Sequence, residues 1–133
     1  MSAPLPREYN AAVDFVDRHV PEGRGGKRAF VDDERSLTYG ELAEGVARAG
    51  NALLGHLGVQ PEQRVAMCML DSVDFPCVFW GAIKAGVVPV PLNTLLTTAD
   101  YAFLLRDCRA RVLVVSDALH EKVAPAAAAS PHL

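Results

Sequence analysis

An α/β fold, with a mostly parallel sheet and helices on both faces, follows from two features of the sequence. Apolar segments of strand length alternate with segments of helical periodicity, in the order strand, helix, strand, helix, strand, helix, strand. The later strands, "RVAMCML", "VVPVPL" and "RVLVVSD", are also apolar almost throughout, as strands covered on both faces must be. No internal repeat is present.

Each element has its own justification. Tyr9, Val13, Val16 and Val20 recur at helical spacing, which predicts an amphipathic helix over Glu8 to His19 ended by Pro21. "PEGRGGKR", Pro21 to Arg28, reads as a basic, glycine-rich loop, and "AFVDDERSLTY" as two short strands around a turn. Thr38 and Glu41 have capping-box spacing. Leu42, Val46, Ala49, Leu53 and Leu57 then share one face, so Tyr39 to Leu57 is a helix with Gly58 just past its end.

Arg64 to Leu70 is the next strand. Ser72 is placed as N-cap of a helix with Pro76 in its first turn, and the all-round apolar "VDFPCVFWGAI" predicts deep burial of that helix. After Gly86 comes "VVPVPL". Pro89 and Pro91 remove backbone donors from one edge of this strand only, because successive amides point to alternate edges. Thr97 and Asp100 repeat the capping-box spacing ahead of "DYAFLLRDC". Arg111 to Asp117 is the last strand. The domain is expected to span 1–119, with 120–133 an alanine-rich tail that adds no closing element.

Bulk properties narrow the function. The chain has 133 residues, of which 50% are hydrophobic and 22% charged, with a formal net charge of −3, so one globular core is expected and disorder is not. No basic excess points to nucleic acid or an anionic membrane. The first twenty residues lack a basic n-region and an apolar h-region, and no apolar run reaches the roughly 18 residues a bilayer span requires. Cys68, Cys77 and Cys108 form neither a disulfide framework nor a zinc pattern, so a reducing cytoplasm is the expected compartment.

Taken singly, the candidate chemical groups do not assemble an active site. "GRGGKR" suggests a phosphate loop, but no glycine lies five residues before Gly26, Lys27 is followed by Arg28 instead of Ser or Thr, and Arg28 stands where G-x-G-x-x-G needs its third glycine. His19, His56, His120 and His132 lack a second ligand at metal spacing, and no serine has a G-x-S-x-G context. Asp71 and Asp74 are explained by the positive end of a helix macrodipole. Lys84, four residues after Trp80, is placed to cover the indole, and Cys68 and Cys77 read as small core hydrophobes. No catalytic and no metal-binding residue is assigned.

Two longer stretches carry more information. "LTYGEL", Leu37 to Leu42, and "AIKAGVVPVPLN", Ala82 to Asn93, resemble in order, spacing and residue type the first two core motifs of the adenylate-forming superfamily. That superfamily comprises acyl- and aryl-CoA ligases, luciferases and peptide-synthetase adenylation domains. The resemblance runs from about Tyr9 to Leu119, and "NTLLTTADYAFLL" is most similar to the benzoate- and hydroxybenzoate-CoA ligases.

The resemblance implies the first part of the large N-terminal domain of such an enzyme. It also implies a two-step reaction in the intact protein, in which a small aryl carboxylic acid attacks the α-phosphorus of ATP, pyrophosphate leaves, and the thiol of coenzyme A displaces AMP. Mg²⁺ would balance phosphate charge. The family's Ser/Thr/Gly-rich phosphate loop, ribose-binding aspartate and C-terminal catalytic lysine have no counterpart here. Thr94, Leu95 and Leu96 also stand where some relatives carry a basic residue for the 3′-phosphate of coenzyme A. The expectation is a piece of an aryl-CoA ligase that binds none of these ligands tightly and is inactive alone. The alternatives are a stand-alone α/β interaction or regulatory module without catalysis, and a free-standing nucleotide-binding domain.

Overall fold

One central strand organises the molecule. In the computed structural model, which describes residue 4 and residues 6–133, β3 (Arg64–Cys68) is the middle of a parallel sheet ordered β4-β3-β5, with β4 at Val88–Pro91 and β5 at Ala110–Val115. Successive strand side chains point to opposite faces, and the core divides accordingly. Val65 packs with Leu53, Val59, Ala82 and Val87, whereas Ala66 and Cys68 pack with Tyr101, Leu105, Val123 and Ala126. On β5, Val112 and Val114 join the first group, Leu113 and Val115 the second.

The helices divide the same way. α2 (Tyr39–Asn51), continued by a wider turn at Ala52–His56, and α3 (Asp74–Lys84) supply one face. α4 (Thr98–Asp107) and α5 (His120–Ala128) supply the other. This is the parallel sheet with helices on both faces that the sequence predicts. A separate antiparallel ribbon, β1 (Arg28–Val31) and β2 (Ser36–Thr38), leads into α2. The short α1 (Ala11–Phe15) precedes it and packs near α3, where the Asn10 amide donates to the carbonyls of Ile83 and Lys84.

α2 and α3 meet almost backbone to backbone. A Cβ added to Gly81 would lie 2.7 Å from the Ala49 methyl and 2.9 Å from the Val46 carbonyl oxygen, and one added to Gly45 would lie 2.6 Å from Cys77 Sγ. Glycine is required here by contact, not by backbone angle. Both predicted capping boxes are present: the Thr38 hydroxyl accepts from the Glu41 amide at 3.2 Å and the Thr97 hydroxyl from the Asp100 amide at 3.3 Å, each carboxylate reaching back to its cap. Gly58 has φ +64°, the left-handed conformation expected just past a helix.

Among the described residues, β4 pairs on one side only. Val88 N donates to Gln63 O and Leu92 N to Met67 O, both at 2.8 Å, so alternation turns Pro89 and Pro91 to the open edge. From β3 the chain steps through α3 to β4, then crosses back through α4 to β5 on the other side of β3. Direction and covered face reverse together, so the two crossovers have one hand, as parallel β-α-β units require.

Several expectations are corrected. The helix read over Glu8–His19 is cut to Ala11–Phe15, because the Asn10 side chain caps Ala12 N and the backbone breaks at Val16. Pro21 does not end it; Pro21 lies in the first turn of a further helical segment, Val20–Arg24, where a missing N–H costs nothing. Ser72 offers no side-chain cap to α3; its carbonyl accepts from Phe75 N, and the Val73 amide is capped by Asp32 Oδ2 at 2.9 Å. Within the alanine-rich tail read over 120–133, His120–Ala128 form α5, which buries Val123 and Ala126 even with Pro125 inside it. α3 is less buried than its composition predicts: Pro76, Gly81 and Ala82 are buried, but Phe75, Val78, Phe79 and Trp80 are only partly covered. Of the stretch read for a secretory signal, residues 1–3 and 5 lie outside the described residues.

Candidate functional site

In open parallel sheets, ligands bind beyond the carboxyl ends of the strands, where the strand order reverses. Here the order reverses between β3 and β5, and the rim is formed by Met69–Ser72, Leu92–Thr94 and Ser116–Asp117. Ser116 staples the two strand ends together: its amide donates to Cys68 O at 3.1 Å and its hydroxyl accepts from Leu70 N at 2.9 Å.

The turn after β4 is fixed from below. The fully buried Tyr101 donates its hydroxyl to Asn93 O at 2.8 Å, and Lys122 donates to Thr94 O at 3.4 Å while lying over the Tyr101 ring. Burial, reinforced by the adjacent Cys68 thiol, pushes the Tyr101 hydroxyl up to about 12, so it stays a donor through the ordinary pH range. Two adjoining hollows open on this rim. One, of about 390 Å³, lies between Met69, Phe75, Pro91 and Asn93; the other, of about 400 Å³, lies between Phe30, Asp32, Val73 and Pro76. Asp71 and Phe75 line both. The charged side chains at these hollows are carboxylates, which repel phosphate.

Helix starts are the other place where a chain of this type could hold an anion. The three nearest candidates are taken by the chain's own carboxylates. Glu41 accepts from Thr38 N at the start of α2, Asp32 from Val73 N at the start of α3, and Asp100 from Thr97 N at the start of α4. Those bonds hold each carboxylate below its usual range, for Asp32 through the amides of Val73, Arg35 and Glu34, for Glu41 and Asp100 through Thr38 and Thr97.

The glycine-rich loop works opposite to a phosphate loop. Gly25 O accepts from Gly40 N at 2.8 Å and Lys27 O from Tyr39 N at 2.9 Å, so it presents carbonyls to the first amides of α2.

The remaining candidates do not converge. His19 Nδ1 accepts from Arg24 Nε at 2.9 Å, with its ring against Tyr39. His56 and His120 are exposed, and His132 contributes a main-chain carbonyl to Arg111. Asp74 pairs with Arg35 at 2.5 Å, and Asp71 is exposed. The Lys84 ammonium pairs with Asp17 at 2.7 Å, and the ring of Phe15 stacks on the Trp80 indole at 5.6 Å. Cys68 is a core residue as expected. Cys77 is half-buried, donates to Val73 O, and has its thiol pushed up by burial. Asp32 was the residue sequence reasoning missed. Its Oδ1 accepts from Glu34 N and Arg35 N, an Asx-type turn that "DDER" signals, but the bond to Val73 spans 41 positions and leaves no local mark. No helix among the described residues is long and apolar enough to cross a membrane.

The sequence profile of the family described as AMP-binding enzyme matches residues 17–133. The chain belongs to that family. It is 58% identical over 127 residues to the 4-hydroxybenzoate–CoA/benzoate–CoA ligase of Rhodopseudomonas palustris, covering 96% of this chain and 23% of that protein. Among solved structures, the benzoate CoA ligase of Burkholderia xenovorans superposes with a TM-score of 0.87 at 45% identity, over 92% of this chain and 24% of that one. The anthranilate CoA ligase AuaEII, solved with anthranoyl-AMP, gives a TM-score of 0.91 at 37% identity, over 97% and 24%. This AMP-binding family chain therefore spans about a quarter of the length of these relatives. The α/β architecture is that of the corresponding part of the adenylate-forming enzymes.

Proposed function

We propose that these 133 residues are the first structural part of an ATP-dependent aryl-CoA ligase, which converts benzoate, ATP and coenzyme A to benzoyl-CoA, AMP and pyrophosphate. The observation that carries this reading is the 58% identity to the Rhodopseudomonas palustris ligase across 96% of the chain. In the intact enzyme, a benzoate oxygen attacks the α-phosphorus of ATP and pyrophosphate leaves. The thiol of coenzyme A then attacks the acyl carbon of the adenylate, and AMP leaves with the bonding electrons.

The role of the present residues in that chemistry is positional. They form a layered support whose strand ends are stapled at Ser116 and whose Asn93 turn is pinned by Tyr101. Three helix starts that could meet a phosphate carry carboxylates of their own, which supports placing the ATP phosphates on other parts of the enzyme. The partly covered aromatic face of α3 supports the same reading, since more of the protein would be needed to bury it. Among the described residues, no group of three or more His, Cys, Asp or Glu is placed to hold a metal ion.

The test is benzoate-dependent ATP–pyrophosphate exchange, measured for the chain alone and for a chimera in which it replaces the matching quarter of the Rhodopseudomonas palustris ligase. Exchange by the chimera and none by the chain is expected. Exchange by the chain alone, or a folded chimera without exchange, overturns the proposal.

A further inference from the structure

The segment joining β3 to α3, Met69–Val73, is the partition between the two rim hollows. Met69 and Leu70 line one, Ser72 and Val73 the other, and Asp71 both. Both ends of this partition are tied by side chains from distant parts of the chain. At the β3 end, the Leu70 amide donates to Ser116 Oγ at 2.9 Å, across 46 positions. At the α3 end, the Val73 amide donates to Asp32 Oδ2 at 2.9 Å, across 41 positions.

Helix stability alone does not require the second tie. A helix start is satisfied as well by a local side chain, as Thr38 and Thr97 do for α2 and α4, yet α3 has no such local cap. Its acceptor comes instead from the β1–β2 turn, which is itself braced. Asp32 Oδ1 accepts from Glu34 N at 2.9 Å and Arg35 N at 2.6 Å, Asp32 N donates to Arg35 O at 2.9 Å, and Arg35 pairs with Asp74 in the first turn of α3. The ribbon that carries Asp32 also supplies Phe30 and Val31 to the hollow on the α3 side of the partition. Asp32 therefore bonds one wall of that hollow to the other, and a distant cap fixes a separation where a local one would fix only the helix.

We infer that Asp32 is a positioning residue of the ligase, which holds the Met69–Val73 loop against the β1–β2 ribbon so that the rim has its substrate-binding shape before a substrate arrives. The inference rests on the proposed ligase reading for the reaction, and on the Asp32–Val73 and Ser116–Leu70 bonds for the position. With either tie lost, only a fraction of molecules keeps the loop in place, and a substrate seated against it binds more weakly by that fraction. Saturating substrate draws the loop back, so turnover at saturation is retained.

The experiment uses the chimera in which this chain replaces the matching quarter of the Rhodopseudomonas palustris ligase, and measures kcat and KM for benzoate, ATP and coenzyme A in benzoyl-CoA formation. Asp32→Asn keeps an oxygen for the Glu34 and Arg35 amides but turns an NH₂ group toward the Val73 N–H. Asp32→Ala removes both sets of bonds. Each is expected to raise the KM of the same substrate by about three- to tenfold, with kcat within about twofold, although Asp32→Ala also loses the turn. Ser116→Ala, which frees the other end of the loop, is expected to raise that same KM.

A kcat that falls in step with thermal stability while every KM stays at the parent value overturns the inference, because partial unfolding removes active enzyme without altering its affinity. So does a KM that rises for Asp32→Ala and not for Asp32→Asn, which would assign the effect to the turn. A folded parent chimera that makes no benzoyl-CoA removes the ligase reading and this inference with it. An active parent whose variants keep its KM values removes this inference alone.

Discussion

Where α2 crosses α3 there is no room for a methyl group on Gly81, whereas the carboxyl rim of the same sheet opens into hollows of about 400 Å³ and about 390 Å³. The crossing is finished by residues within this chain. The rim is bordered by carboxylates and stapled main chain, and no lysine or arginine among the described residues lines either hollow. The contrast separates what these residues of an AMP-binding family chain do, which is to pack, from what the proposed reaction would need, which is charge complementary to ATP. It also locates the family-marking stretches: Leu37–Leu42 starts the packed helix, and Ala82–Asn93 runs from the crossing through the proline edge to the pinned turn.

Substitutions should sort by which side of this contrast they touch. The largest loss is expected in the interior. Leu105→Ala removes a fully buried side chain beneath β3 and should cost about 2–5 kcal/mol in urea unfolding. Gly81→Ala drives a methyl into the Ala49 methyl and the Val46 carbonyl and should cost about 1–3 kcal/mol, although alanine is the better helix former. A neutral Gly81→Ala would show that the helices can part freely, and the contrast would be lost.

Tyr101→Phe acts at the boundary between the two regions. Losing the donor to Asn93 O should cost about 1 kcal/mol near neutral pH. The folded hydroxyl titrates at about 12, against about 10 when unfolded. The stabilising contribution of the protonated group is therefore complete below the unfolded value and is lost as pH rises toward the folded one. The gap between parent and Tyr101→Phe should narrow over that window.

Asp32→Asn has the opposite sign. The folded carboxylate is held below its usual range by the amides of Val73, Arg35 and Glu34, so its contribution is present above the usual range and lost as pH falls through the lowered value. Parent and variant should differ at neutral pH and converge in acid unfolding as pH falls below the ordinary carboxylate range. On the rim, Asp71→Asn should change stability by less than about 0.5 kcal/mol, since Asp71 is exposed.

The parts of this fold legible in the sequence are those with a short-range cause. Thr38 with Glu41 and Thr97 with Asp100 are capping boxes because three positions separate donor and acceptor, and the one-sided pairing of β4 follows from two prolines on alternate residues. The misread parts have long-range causes. Ser72 was a plausible cap until Asp32 arrived from another loop, Lys84 pairs with the distant Asp17, and α5 is held by burial of Val123 and Ala126 against β3 and α4. The site was legible only as a family resemblance, because the residues present assemble support and not charge.

The central claim is that this chain is the supporting part of an aryl-CoA ligase and does not itself activate a carboxylate. It is tested most directly by pyrophosphate exchange with benzoate, using the 133-residue chain and the chimera side by side. Exchange in the chimera is expected within about tenfold of the Rhodopseudomonas palustris ligase, a difference of about 1.4 kcal/mol in barrier, and none above background for the chain. Benzoate-dependent exchange by the chain alone would contradict it.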